Sequence, residues 1–222
     1  MRQCESKRDV RRTRTPGKTR EARFTLLGVG AMNSPRYKPA GLLVEFLGCR
    51  VMLDGGPGAE PVGRIDAWLV TDDQGELIRI IRTLARAHGV EARVGSHAAP
   101  GFAIQPHAVV HTSHPSFGYL VKIKRKRAVW APEFFKFPRW AKNADLMFAE
   151  AAGWNRPIRF ARGSGGHSPA LQVARQAERH GVARLVFAHL GRPTIRAMDA
   201  GQRPPFGEFG AEGRMYRLRI PA

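Results

Sequence analysis

Carboxylates and imidazoles stand directly after several short apolar runs, where strands would deliver them to one edge of a sheet. Asp54, heading Asp54-Gly55-Gly56-Pro57-Gly58, follows the run 51–53, and Thr71-Asp72-Asp73-Gln74-Gly75-Glu76 follows 68–70. His111 and His114 come after Val109-Val110, Glu133 after 129–131, and His189 after 185–188. A single histidine at a strand end is usually packed or solvated, and His88, His97, His107 and His180 are read that way. Five clusters of acid and imidazole are different, because oxygen and nitrogen donors brought from separate elements are what a metal centre is built from.

The elements that would position them alternate between short strands and two helices. Runs at 24–29, 42–46, 50–53 and 67–70 read as strands, and 76–88 as a helix with Leu77, Ile80, Ile81, Leu84 and Ala85 on one face. Further strands are expected at 107–110, 117–123, 128–131, 146–149, 185–187 and 215–220. A second helix should open at Ser168-Pro169, with the serine as cap, and close near His180-Gly181. Strands, helix, strands, helix imply two sheets in a layered sandwich with helices outside. Residues 1–23 show no apolar periodicity and are expected to be a basic, disordered arm, leaving 24–222 as one domain.

Charge narrows the partners. The 222 residues carry 37 Lys and Arg against 18 Asp and Glu, a formal +19, and without 1–23 the remainder still carries +13. Such a body attracts polyanions. The run Lys122-Ile123-Lys124-Arg125-Lys126-Arg127 falls in an expected hairpin turn, as either a solvated loop or a patch contacting phosphates of nucleic acid. Two cysteines exclude a disulfide scaffold or a cysteine-based zinc site, and no apolar run is long enough to span a membrane. The expected setting is a reducing cytoplasm.

In order and spacing these motifs resemble the metallo-β-lactamase fold superfamily, especially its ribonuclease Z-like and phosphodiesterase branches. Leu27-Gly28-Val29-Gly30 with Asn33-Ser34-Pro35-Arg36 is similar to the opening strand and loop of that group, and Val51-Met52-Leu53-Asp54-Gly55-Gly56 to its first motif. His111-Thr112-Ser113-His114-Pro115-Ser116-Phe117-Gly118-Tyr119 resembles the third motif, Gly166-His167-Ser168 the extra histidine motif of the RNA-processing branch, and Phe187-Ala188-His189 the last metal histidine. The resemblance implies an αββα sandwich of two mixed sheets with helices on the outer faces. It also implies a hydrolase holding one or two divalent ions.

The chain departs from the family where the family is most distinctive. The Thr-His-x-His-x-Asp-His run is replaced by Thr71-Asp72-Asp73-Gln74-Gly75-Glu76-Leu77, and the bridging aspartate by Glu133. In one reading Asp72, Gln74, Glu76, His111, Glu133 and His189 still hold metal, with oxygen donors favouring Mn²⁺ or Mg²⁺ over Zn²⁺. Asp54 and His114 then support the site, His111 being preferred over His114 as ligand. Glu76 would accept the proton of the attacking water, and His167, otherwise a packed surface group, would assist the leaving group. In the other reading the metal is lost, the carboxylates are held by arginines or exposed, and a non-catalytic module binds nucleic acid or other polyanions. A phosphorylated or nucleic-acid substrate fits the first reading. The oligomeric state is open, a homodimer included.

Overall fold

The computed structural model describes residues 20–161 and 165–220. A first sheet has the order β15 (Met215–Ile220), β1 (Arg20–Gly28), β2 (Gly41–Phe46), β3 (Cys49–Asp54), β4 (Ala67–Leu69) and β5 (Ala92–Arg93). The second runs β14 (Glu208–Phe209), β13 (Leu185–Leu190), β10 (Leu146–Ala151), β9 (Lys126–Ala131), β8 (Ser116–Ile123), β7 (Phe102–Val109) and β6 (His97–Ala99). A two-stranded ribbon joins β11 (Ile158–Arg159) to β12 (Gly166–His167). Three α-helices, α1 (Ile78–Ala87), α2 (Ala170–Arg179) and α3 (Arg192–Asp199), and a single 3-10 turn at Arg139–Ala141 complete the described residues.

Side-chain alternation explains the layering. Phe24, Leu26, Val44, Val51 and Leu53 of the first sheet join Tyr119, Val121, Trp130, Phe148 and Phe187 of the second in one buried core. The opposite face of the first sheet, with Leu43, Met52 and Trp68, is covered by Ile78, Ile81 and Ala85 of α1. On the far side, α2 packs over β10 and β13 and buries Val173, Ala174 and Ala177. The result is the expected sandwich of two mixed sheets with helices outside. None of the described helices is long and apolar enough to cross a membrane.

Three expectations need correction. Strand β1 starts at Arg20, so 20–23 belong to the sheet and not to an arm; residues 1–19 lie outside the described residues. Ala22 is fully buried, while Glu21 and Arg23 face outward to Arg217 and Glu45, an alternation that one small alanine conceals in the sequence. Helix α1 starts two residues late and leaves Ile80 45% exposed. Ser168 does not cap α2: Pro169 occupies the cap position, and the buried serine hydroxyl has no hydrogen-bond partner among the described residues.

Candidate metal centre

Strands β9, β10 and β13 are parallel neighbours, so their C-terminal ends open on the same edge. Glu133 lies two residues past β9, Glu150 is near the end of β10, and His189 is near the end of β13. Pairing runs Ala149 with Phe187 and then Glu150 with His189, so Ala188 is an extra residue in β13. This bulge sets Glu150 beside His189. His111 arrives from the other direction, two residues after β7, and His167 from β12.

Glu150 is the hub. Its side chain is fully buried and each carboxylate oxygen accepts two hydrogen bonds. Oε1 takes the Ala152 N–H at 2.7 Å and His189 Nδ1 at 3.1 Å; Oε2 takes the Phe134 N–H at 3.1 Å and His167 Nδ1 at 2.7 Å. Burial works against its charge, yet His167 and His189 outweigh it and hold the carboxyl at about 2. Because both oxygens are saturated, Glu150 orients imidazoles rather than coordinating an ion, although Glu150, His167 and His189 offer ligand atoms within 4.8 Å of one another.

The outward atoms of the cluster converge on Glu133. His111 Nε2 lies 3.0 Å from one Glu133 oxygen and His189 Nε2 lies 2.9 Å from the other. His111 Nδ1 donates to the Gly166 carbonyl oxygen at 3.0 Å, as His189 Nδ1 donates to Glu150. In a neutral ring so held, Nε2 carries a lone pair, and a lone pair facing a carboxylate is repulsive unless positive charge sits between them. Without metal, that charge is a second ring proton. Burial opposes it in His189, but Glu133 and Glu150 raise this imidazole to about 10. Burial likewise opposes the charge on His111, which Glu133 raises above its ordinary value. Burial disfavours the charged form of Glu133 too, and His189 and His111 hold it well below the carboxylate range.

A divalent cation would meet the same requirement with the same atoms. Two imidazole nitrogens, each fixed through its second nitrogen to an acceptor, plus a carboxylate 29% exposed to solvent, form a donor set that fits a metal. The residues present therefore suit the ion that the sequence motifs imply.

The surrounding residues hold this cluster in shape. Gly165 lies at φ 152°, and a Cβ there would run into the His111 carbonyl oxygen; Gly166 N–H donates to that same oxygen at 2.8 Å. Phe160 packs edge-on against both His111 and His167. Asp54 accepts the Thr71 N–H at 2.7 Å and Trp130 Nε1 at 2.6 Å, bonding the end of one sheet to the core of the other. Burial raises Asp54 to about 7 against the pull of those donors.

The structure thus gathers His111, Glu133, His167 and His189 in one hydrogen-bonded group. Asp72 and His114 form a separate pair, Oδ2 to Nε2 at 2.7 Å, on two loops tied by Phe117 N–H to Thr71 O. Gln74 and Glu76 are exposed, and their side chains make no hydrogen bond to the cluster among the described residues. In the basic run, Lys122, Lys124 and Arg125 are exposed, Lys126 pairs with Asp145 at 2.6 Å, and Arg127 donates to the Trp140 carbonyl oxygen at 2.7 Å. Glu150 is the residue that sequence reasoning missed. Its signal was present: an acid inside Leu146-Met147-Phe148-Ala149-Glu150-Ala151-Ala152 has no cheap way to be buried unless several donors meet it.

No protein-family model and no curated protein matches the chain by sequence. Solved structures do match in shape. The metallo-β-lactamase fold protein YhfI from Bacillus subtilis superposes with a TM-score of 0.69 at 14% identity, covering 90% of this chain and 100% of that one. A diphosphatase of the PhnP family gives 0.69 at 18% identity, covering 92% and 100%. The short form of human tRNase Z gives 0.60 at 16% identity, covering 87% and 98%. Full coverage of these chains, with both sheets and their helices in place, means that this protein has the metallo-β-lactamase fold.

Proposed function

We propose that this protein is a metal-dependent hydrolase acting on phosphodiester or related phosphate-ester bonds. The observation that carries the reading is the facing of His111 Nε2 and His189 Nε2 onto Glu133, each ring anchored through Nδ1. These three residues would hold one divalent ion, and two nitrogens with one oxygen suit Zn²⁺ or Mn²⁺ better than Mg²⁺. When bound, the ion would supply a water of lowered pKa and a Lewis acid for the scissile group.

The chain's own residues do the rest. Glu150 fixes the His167 ring through Nδ1, so Nε2 is left to pass a proton to or from the leaving group. Arg159 is exposed, has no carboxylate partner among the described residues, and lies with its guanidinium 5.1 Å from the Phe135 ring centroid. Phe160, the next residue, touches His111 and His167, so a cation stands at the rim of the cluster. A planar, permanently charged fork suits a phosphate oxygen pair. The similarity in fold to a PhnP-family diphosphatase and to tRNase Z supports the same substrate class.

A metal-free binding module is the competing reading, because the imidazoles and carboxylates already balance one another when protonated. Metal analysis of protein purified without added metal or chelator separates the two. We expect about one equivalent of a transition ion and metal-dependent cleavage of bis(p-nitrophenyl) phosphate. Metal-free protein that stays inert with added Zn²⁺ or Mn²⁺ would leave the binding module standing.

A further inference from the structure

The outer face of the second sheet, away from the sandwich core, carries a row of cations beside an aromatic platform. Lys122 and Arg127 are direct partners across β8 and β9, a like-charge opposition that costs stability in a sheet. Arg139 and Lys142 are exposed on the turn that follows, and neither they nor Lys122 has a carboxylate partner among the described residues. The Arg127 side chain is also without one; it donates to the Trp140 carbonyl oxygen.

Between these charges the Trp140 ring stacks on His107, with centroids 4.9 Å apart and planes at 26°. The platform is built in. Gly118, opposite His107 on β8, lets the indole lie against the sheet, for a Cβ there would stand 3.1 Å from Trp140 Cη2. Indole Nε1 donates to the Ala108 carbonyl oxygen at 3.1 Å and fixes the ring's tilt. Burial, then the fields of Lys122 and Arg127, lower the His107 pKa, so the ring is a neutral partner for stacking at pH 7.

We propose that this strip binds single-stranded nucleic acid, with Lys122, Arg127, Arg139 and Lys142 along the phosphates and a base stacked at Trp140 and His107. Cations without carboxylate partners, with an aromatic face among them, suit a charged polymer bearing π-systems better than a lipid surface, which has no base to stack. His107 precedes His111 by four residues, about 13 Å along an extended chain, so a strand on this track leads toward the metal centre. The proposal deepens the phosphodiester reading by naming a polymer, but binding at the strip does not require the metal.

The test uses the full chain in EDTA with a labelled 12-nucleotide oligouridylate, read by anisotropy at two salt concentrations and by tryptophan fluorescence. Trp68 and Trp130 are fully buried and Trp154 is 8% exposed, so quenching reports on Trp140. We expect Lys122→Glu with Lys142→Glu to weaken binding about tenfold or more and flatten its salt dependence. Trp140→Ala should weaken it about tenfold and abolish quenching, while Trp140→Phe keeps most of the affinity. Unchanged binding by Trp140→Ala and by the double charge reversal would overturn the proposal, as would tighter binding to phosphatidylserine vesicles than to the oligonucleotide. If the metal-centre reading alone is wrong, the protein will bind oligonucleotide yet hold no metal. If the strip alone is wrong, metal and small-diester cleavage will remain.

Discussion

Glu150 and His189 face each other across β10 and β13 because one extra residue, Ala188, bulges the register between them. The 3.1 Å contact from His189 Nδ1 to Glu150 Oε1 points the opposite nitrogen at Glu133. The direction of His189 follows from that relationship, and it is open to direct test.

Replacing Glu150 should harm both fold and site. Glu150→Gln keeps the shape but turns an NH₂ toward one of the two donor pairs, Ala152 with His189 or Phe134 with His167. The loss should be about 3 kcal/mol or more in urea unfolding, because buried partners are left unpaired. Wild-type stability in this variant would mean that the carboxylate is not the hub.

His189→Ala and His111→Ala should strip metal from the protein while leaving far-UV circular dichroism unchanged. Binding to the folded state alone stabilises by mass action, about 2.7 kcal/mol when free ion is a hundredfold above Kd. EDTA should therefore lower the wild-type Tm and leave that of His189→Ala in place. An EDTA-indifferent wild type argues for the metal-free reading.

In metal-stripped protein the Glu150 and His189 contributions should both be complete between about pH 4.5 and 6.5, while that of Asp54, raised from 3.8 to about 7, fades across the same range. Glu150 drops from 4.5 to about 2 on folding, so its contribution is present above 4.5 and is lost as pH falls toward 2. His189 rises from 6.5 to about 10, so its contribution is complete below 6.5 and is lost as pH climbs toward 10. Thermal melts across pH 3–10 check both limbs. Stability that increases from pH 7 to 9 without metal contradicts the protonated-imidazole account.

Arg159→Ala should raise KM for bis(p-nitrophenyl) phosphate about tenfold with little change in kcat, if the guanidinium holds the phosphate equally in ground and transition states. Hydrolysis of a neutral carboxylic ester should not respond. An equal effect on both substrates would assign Arg159 to the structure of the hairpin instead.

Much of the fold was legible because it depends on local pattern. The near-continuous apolar runs that became β2, β3, β9, β10 and β13 need burial on both faces, and only a layered sandwich with outer helices provides it. Acids and imidazoles just past those runs had to reach a sheet edge, so His111, Glu133 and His189 could be named from sequence. The shortest missed strands, β5, β6, β11, β12 and β14, were not legible, since two or three residues hold no period, and neither was helix α3, which is only about two turns long.

The composition of the centre was decided in three dimensions. The apolar run around Glu150 marks it as a buried acid, but which donors it meets is set by the pairing of β10 with β13 and the bulge at Ala188. Asp72 finds His114 because two loops are tied together, and Glu76 ends in solvent where α1 begins. Strand-end chemistry belongs to the chain, because residue type and alternation decide which groups leave the core. Which of those groups meet is a matter of register, since a one-residue shift turns every side chain to the other face and only tertiary pairing sets it.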